Sequence, residues 1–215
     1  EYRRQRQMCI RDRSELAVSI GCEVKDFDPE PYFGAKEARR VDRFTQIGYA
    51  AAKDALDDAG EIGADPARCA VVTGTGVGGI WTYEDQFTVT RDKGYQRVSP
   101  FFVPMMMANA CAGTISMNFG YTGPNVNVTT ACAAGSHAVG EALRLIWDGT
   151  SDVVCAGGTE AGMTPMTVSA FARMGALSTK NDDPKHASRP FDKDRDGFVM
   201  GEGAAFMIME RMDLA

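Results

Sequence analysis

Two short apolar runs, Cys69-Ala-Val-Val-Thr73 and Asp152-Val-Val-Cys-Ala156, restrict the folds open to this chain more than any other feature. Neither run alternates with polar residues, so each reads as a buried strand. Helical spacing lies around them. From Asp42, a residue suited to capping a helix N-terminus, Phe44, Ile47, Ala51 and Ala55 mark one apolar face, and Gly60 closes the segment. Val103 to Asn118 reads as mostly helical after the Ser99-Pro100 break, and Ala133 to Trp147 as a further helix. Asn125 to Thr130 alternates like a strand, and Ala204 to Glu210 supplies a last one. Strands alternating with helices in this way predict an α/β layered fold.

At 215 residues the chain makes one large domain or two small ones, and 44% hydrophobic with 24% charged residues is ordinary for a globular protein. A net charge of −6 argues against nucleic acid as a partner, because phosphate binding demands a cationic face. No apolar run approaches the ~20 residues of a membrane-spanning helix, so no membrane role is expected. The six cysteines include no Cys-x-x-Cys pair and have two histidines beside them, so neither a metal site nor a cofactor is expected. Cys69 and Cys155 adjoin valine pairs, which suits reduced thiols in the cytoplasm. Residues 1–13 differ sharply, with five arginines and no period. They are expected to be a non-native or disordered tail, translated adaptor sequence being one source, and residues 14–215 to form the folded domain.

Three motifs carry possible chemistry. Gly74-Thr-Gly76-Val-Gly78-Gly79 satisfies G-x-G-x-x-G after a strand, the dinucleotide pattern. That pattern needs an acidic residue closing a second strand about twenty residues on. Asp92 has the distance, but Thr90-Arg-Asp-Lys-Gly94 reads as a turn, so close backbone packing beside a pocket is the better account of these glycines. Asp192-Lys-Asp194-Arg-Asp196-Gly197 resembles a calcium loop, yet counted from Asp192 the position for the bidentate Glu is occupied by Gly203, one past Glu202. Ser188-Arg189-Pro190 also denies it an entering helix, and Arg189, Lys193 and Arg195 suggest internal neutralisation instead. The third motif is Val128-Thr-Thr-Ala131-Cys132-Ala-Ala-Gly135-Ser136, a strand end, a cysteine and an immediate helix. A thiol there meets the positive end of the helix dipole and free N–H groups, which favour a thiolate nucleophile. Position alone fits a small buried cysteine at least as well. His137 follows at ~140° around and ~7.5 Å along the helix, a poor place for a base acting on Cys132.

Thr130-Ala-Cys132-Ala-Ala-Gly-Ser-His137 resembles the nucleophile segment of the β-ketoacyl synthases, and four other stretches follow the same family in order: 74–79, Ser99-Pro-Phe-Phe-Val-Pro104, Gly175-Ala-Leu-Ser-Thr179 and 188–203. The resemblance runs from about residue 14 to the end and sits closer to the synthase II type through Phe171 and Met200-Gly-Glu-Gly203. It implies a thiolase-like layered fold, represented mainly by its N-terminal αβα half, and a homodimer. It implies an acyltransferase of fatty-acid synthesis whose partner is acyl-carrier protein bearing acyl and malonyl groups. Cys132 would hold the acyl chain as a thioester, with its own N–H in the oxyanion hole. Val77 and Phe171 match positions lining the acyl pocket, and Phe102 and Val103 positions that reach it from the partner subunit. The family's catalytic histidines and lysine match no residue here, and its first strand and helix are missing too, so the chain is expected to be truncated at both ends. Three alternatives stand beside this: a thiolase, which residues 188–203 disfavour; a non-catalytic chain-length-factor-like partner, which Cys132 disfavours; and a polyketide ketosynthase.

Overall fold

The computed structural model describes residues 6–7 and 16–214. In chain order its strands are β1 (Arg6–Gln7), β2 (Ile20–Gly21), β3 (Cys69–Gly74), β4 (Asn125–Val128), β5 (Val153–Glu160) and β6 (Gly203–Glu210). Its α-helices are α1 (Glu30–Ala38), α2 (Arg43–Ala59), α3 (Ile80–Lys93), α4 (Phe102–Met106), α5 (Ala110–Phe119), α6 (Ala134–Trp147) and α7 (Pro165–Arg173). The chain divides into two compact units, one of residues 27–161 with 203–215 and one of residues 1–26 with 162–202.

The larger unit is built on a four-stranded sheet ordered β4-β3-β5-β6. β3 runs parallel to β4 and β5, and β6 is antiparallel to β5. Both apolar runs of the sequence become its central strands: β3 is buried at every residue and β5 over its first five. Alternate residues serve opposite layers. Ala70, Val72, Val154 and Ala156 form one core with Ala138, Ala142 and Leu145 of α6. Toward the other layer, the Thr159 hydroxyl donates to the Phe44 carbonyl at 2.7 Å, and a Cβ on Gly48 of α2 would lie 2.6 Å from Cys111 Sγ of α5. Helices thus cover both faces, as the unalternating strands require.

Asp42 caps α2 as expected. One oxygen accepts from Phe44 N–H at 3.2 Å and the other from the N–H and hydroxyl of Thr82 at 2.8 and 2.6 Å, which ties the start of α2 to α3. Burial pushes this carboxyl above its ordinary range, against the pull of the Thr82 bonds. The buried face of α2 is wider than the sequence indicated, because α2 also touches β6: Thr45, Gly48, Tyr49, Ala50 and Ala52 are buried, while Ala51 and Ala55 are half-buried. Three other readings change. The stretch 103–118 is two helices, α4 and α5, and the strand from Asn125 stops at Val128. Thr90 to Lys93 is the last turn of α3 rather than a free turn, ended by Gly94 at φ +84°.

Where β3 and β5 begin, Arg68 holds Asp152 through two bonds of 3.0 and 2.7 Å, and Arg211 adds a third of 2.9 Å. The Arg68 and then the Arg211 guanidinium pull the Asp152 carboxyl down to about 2. A depressed carboxylate stabilises the fold above the unfolded value, 3.8, and that contribution disappears as pH falls through about 2. Asp152→Asn should therefore melt below the parent at pH 7, and the gap should close between pH 4 and about 2. Melting curves recorded across that window check it; a gap independent of pH contradicts it.

In the smaller unit, β1 and β2 pair antiparallel through Arg6↔Gly21 and Gln7↔Ile20. Apart from those two residues of β1, the expectation for residues 1–13 lies outside the described residues. Val18, Ile20, Met163, Val168, Leu177, Ala187 and Met200 form the core of this unit, with Phe171 packed against it. Phe171 meets Phe198 edge-on at 5.6 Å. Asp196 organises the polar loop: it accepts from the Ser178 hydroxyl at 2.8 Å and from Thr179 N–H at 3.0 Å, and it pairs with Arg189 at 3.9 Å. Arg189 also donates to the Asp194 carbonyl, and Arg195 to that of Asp192 at 3.0 Å. Of the three basic residues, Arg189 alone pairs with a loop carboxylate among the described residues, while Arg195 bonds a main-chain carbonyl, so the internal neutralisation is partial. The loop's carboxylates do not converge on a cation position among the described residues.

Candidate active site

Gly74 ends β3 level with Val128 of β4 and Gly158 of β5, so the segments leaving β3 and β4 emerge beside the end of β5. Sites of parallel α/β sheets form at such carboxyl ends. Cys132 sits there, in a single 3₁₀ turn, Ala131–Ala133, that leads straight into α6. It is exposed, which removes the reading of a small buried cysteine. Thr130 O accepts from Ala133 N–H at 3.1 Å and closes the turn, while Cys132 N–H has no acceptor among the described residues. Ala131, just before the nucleophile candidate, takes the left-handed conformation at φ +49°. For a residue with a Cβ that costs about 1 kcal/mol or more, so neighbouring structure must hold it.

The glycine motif is that neighbour. A Cβ on Gly74 would lie 2.2 Å from Ala134 O, and one on Gly76 3.6 Å from Ala131 Cα. The glycines let the loop after β3 press against the turn and the head of α6, which is the close packing the sequence suggested. Their N–H groups are not open to a nucleotide phosphate. Glu160, the last residue of β5, accepts from Gly76 N–H at 2.6 Å and Val77 N–H at 3.1 Å with one oxygen, and from the Thr75 hydroxyl at 3.1 Å with the other. The loop already holds an anion, and it is the protein's own.

Val77 is thereby placed on the loop that touches the Cys132 turn, with 47% of its surface exposed. Phe102 and Val103 lie on α4, which packs on the same loop: Gly79 N–H donates to Met106 O at 3.3 Å. Val103 points outward at 58% exposure. Phe171 belongs to the smaller unit, half-buried against Phe198. His137 Nδ1 lies 3.2 Å from Thr130 Oγ1 and its Nε2 3.8 Å from Glu141, so its ring fastens the turn to α6 from outside. Sequence reasoning passed over Glu160. The signal was there: a carboxylate ending an apolar strand, with no Lys or Arg between Arg144 and Arg173 to pair with it.

A family profile described as beta-ketoacyl synthase, N-terminal domain, matches residues 4–215. The 3-oxoacyl-[acyl-carrier-protein] synthase 2 of Synechocystis sp. is 49% identical over 208 residues, which are 95% of this chain and 50% of that protein. Among solved structures, the ishigamide ketosynthase/chain length factor superposes with a TM-score of 0.86 at 28% identity, covering 97% of this chain and 51% of that one. A type II polyketide synthase ketosynthase in complex with its acyl-carrier protein gives 0.81 at 26% identity, over 94% and 50%. The chain spans about half the length of the curated relatives it matches.

Proposed function

Because this chain belongs to the β-ketoacyl synthase family, by its N-terminal domain, we propose that the complete protein condenses malonyl-acyl-carrier protein with an acyl chain held on Cys132, as a 3-oxoacyl synthase of fatty-acid elongation. The observation that carries this is the exposed Cys132 on a strained turn at the head of α6, with its own N–H unengaged among the described residues. In the first half-reaction the Cys132 thiolate attacks the acyl thioester carbonyl. The carrier's thiol leaves and the acyl–Cys132 thioester remains. In the second, malonyl thioester loses carbon dioxide, and the electron pair of the broken bond stays on its α-carbon. That carbanion attacks the acyl–Cys132 carbonyl, the Cys132 sulfur departs, and a 3-oxoacyl thioester is released. The free Cys132 N–H is suited to bond the oxyanion formed in each attack.

Val77 and Phe171 are proposed to line the acyl pocket, and Phe102 and Val103 to enter that of a second copy in a homodimer. Apolar residues left outward on α3 and α4 support the dimer, Phe87 at 57% and Val103 at 58% exposure. Acyl-carrier protein is the proposed partner, supported by the ketosynthase solved with its carrier. The cytoplasm is the proposed location; the described cysteines are all free thiols, as that compartment favours. Polyketide synthesis is the second reading, favoured by the type II polyketide ketosynthase structure, while the 49% identity to a 3-oxoacyl-[acyl-carrier-protein] synthase 2 favours the first. The test supplies the complete protein with malonyl- and C16 acyl-carrier protein. A 3-oxoacyl product longer by a single two-carbon unit, with one carbon dioxide per product, is expected. Repeated extension without reduction points to the polyketide reading, and no product at all contradicts both.

A further inference from the structure

We propose that Glu160 is a positioning residue for Cys132: its carboxylate clamps the 75–78 loop so that the loop holds the left-handed turn at Ala131 and, with it, the orientation of the nucleophile and of Val77. The inference rests on the reading of Cys132 as an acyl-accepting nucleophile. Glu160 is half-buried, and no cation lies within ion-pair distance of it among the described residues. What balances its charge is a nest of loop donors: Gly76 N–H at 2.6 Å, Val77 N–H at 3.1 Å and the Thr75 hydroxyl at 3.1 Å. Thr75 passes the restraint on, since its Oγ1 accepts from Gly78 N–H at 3.2 Å and its N–H donates to Val128 O at 3.3 Å. One carboxylate therefore fixes consecutive backbone groups from 75 to 78 and ties them to the strand that leads into the Cys132 turn.

The geometry leaves little slack between the clamp and the turn. A Cβ on Gly76 would lie 2.9 Å from Glu160 Oε2 and 3.6 Å from Ala131 Cα, so Gly76 is wedged between the carboxylate and the strained residue. Ala131 at φ +49° returns to ordinary backbone conformations unless something opposes it. The clamped loop is placed to do so. Glutamine at position 160 keeps the shape of the side chain but loses the charge and presents an amide NH₂ to donors, so the nest loses acceptors it had.

The test compares Glu160→Gln and Gly76→Ala with the parent in the complete protein. It measures the single-turnover rate of acyl transfer from C16 acyl-carrier protein to Cys132, and iodoacetamide labelling at each cysteine by mass spectrometry. Acyl transfer needs an oriented attack, for which an ~1 Å displacement can cost up to ~100-fold, so a fall of about tenfold or more is expected. Iodoacetamide needs no orientation, so labelling of Cys132 should change by less than about threefold. Cys111 and Cys155, both buried, should stay unlabelled. Gly76→Ala, which drives a methyl into the same wedge, should repeat the pattern and carries the test if Glu160→Gln does not fold. Acyl transfer within twofold of the parent overturns the proposal. So does a fall accompanied by labelling of Cys111 and Cys155, because the loss is then one of folding. If the parent itself takes no acyl group, the nucleophile reading fails and the proposal falls with it.

Discussion

Cys132→Ala in the complete protein should abolish acyl uptake while leaving the fold unchanged. The thiol is exposed, so its removal opens no cavity in the core, and alanine already flanks it on both sides. Of the other four described cysteines, Cys22 is half-buried in the smaller unit and the remaining three are buried. Cys69, Cys111 and Cys155 are buried in or against the sheet, and burial pushes the Cys155 thiol up to about 12. Losing a nucleophile of this kind lowers turnover on the order of 10⁴-fold or more. Intact-mass measurement after incubation with C16 acyl-carrier protein should show the acyl increment on the parent and none on the variant, with superimposable melting curves. An acylated variant would assign the nucleophile elsewhere.

Residues 1–215 produced by themselves should make no condensation product. Loss of carbon dioxide from malonyl thioester builds negative charge that needs hydrogen-bond donors, and losing one such donor costs ~10²–10³ in rate. The chain contains two histidines, and both are engaged on the surface: His137 with Thr130, and His186 with Asp183 at 2.9 Å. Large apolar side chains also face outward, among them Trp147 and Met117 at 78% exposure each and Met207 on β6 at 48%. Such surface drives association. Size-exclusion chromatography should find the 215-residue chain oligomeric or aggregated, and the malonyl assay should read at background. Steady 3-oxoacyl production by a soluble, monodisperse preparation would contradict this.

Where one strong local signal governs a segment, the sequence alone was legible. β3 and β5 are unbroken apolar runs, α2 carries its cap at Asp42 and its stop at Gly60, and Cys132 stands at a strand-to-helix junction. The layered fold followed from those. α3 offers no apolar stripe to read, because of its fourteen residues Thr82 alone is buried. The break between α4 and α5 has no proline or glycine to announce it. Within the site, the nucleophile candidate and the glycine packing were accessible, but the restraint on them was not. Nothing in an alanine foretells φ +49°, and the bond that holds the loop joins Gly76 to Glu160 across 84 residues. That pairing exists only once β3 and β5 lie side by side.

Whether Cys132 is the acyl-accepting nucleophile can be decided by competitive labelling. The complete protein is treated with limiting iodoacetamide, with and without prior incubation with C16 acyl-carrier protein, and occupancy at each cysteine is read by mass spectrometry. Cys132 should label fastest among Cys22, Cys69, Cys111, Cys132 and Cys155, and the acyl substrate should protect it alone. Equal labelling across these thiols, or labelling of Cys132 that the substrate leaves unchanged, would contradict the account.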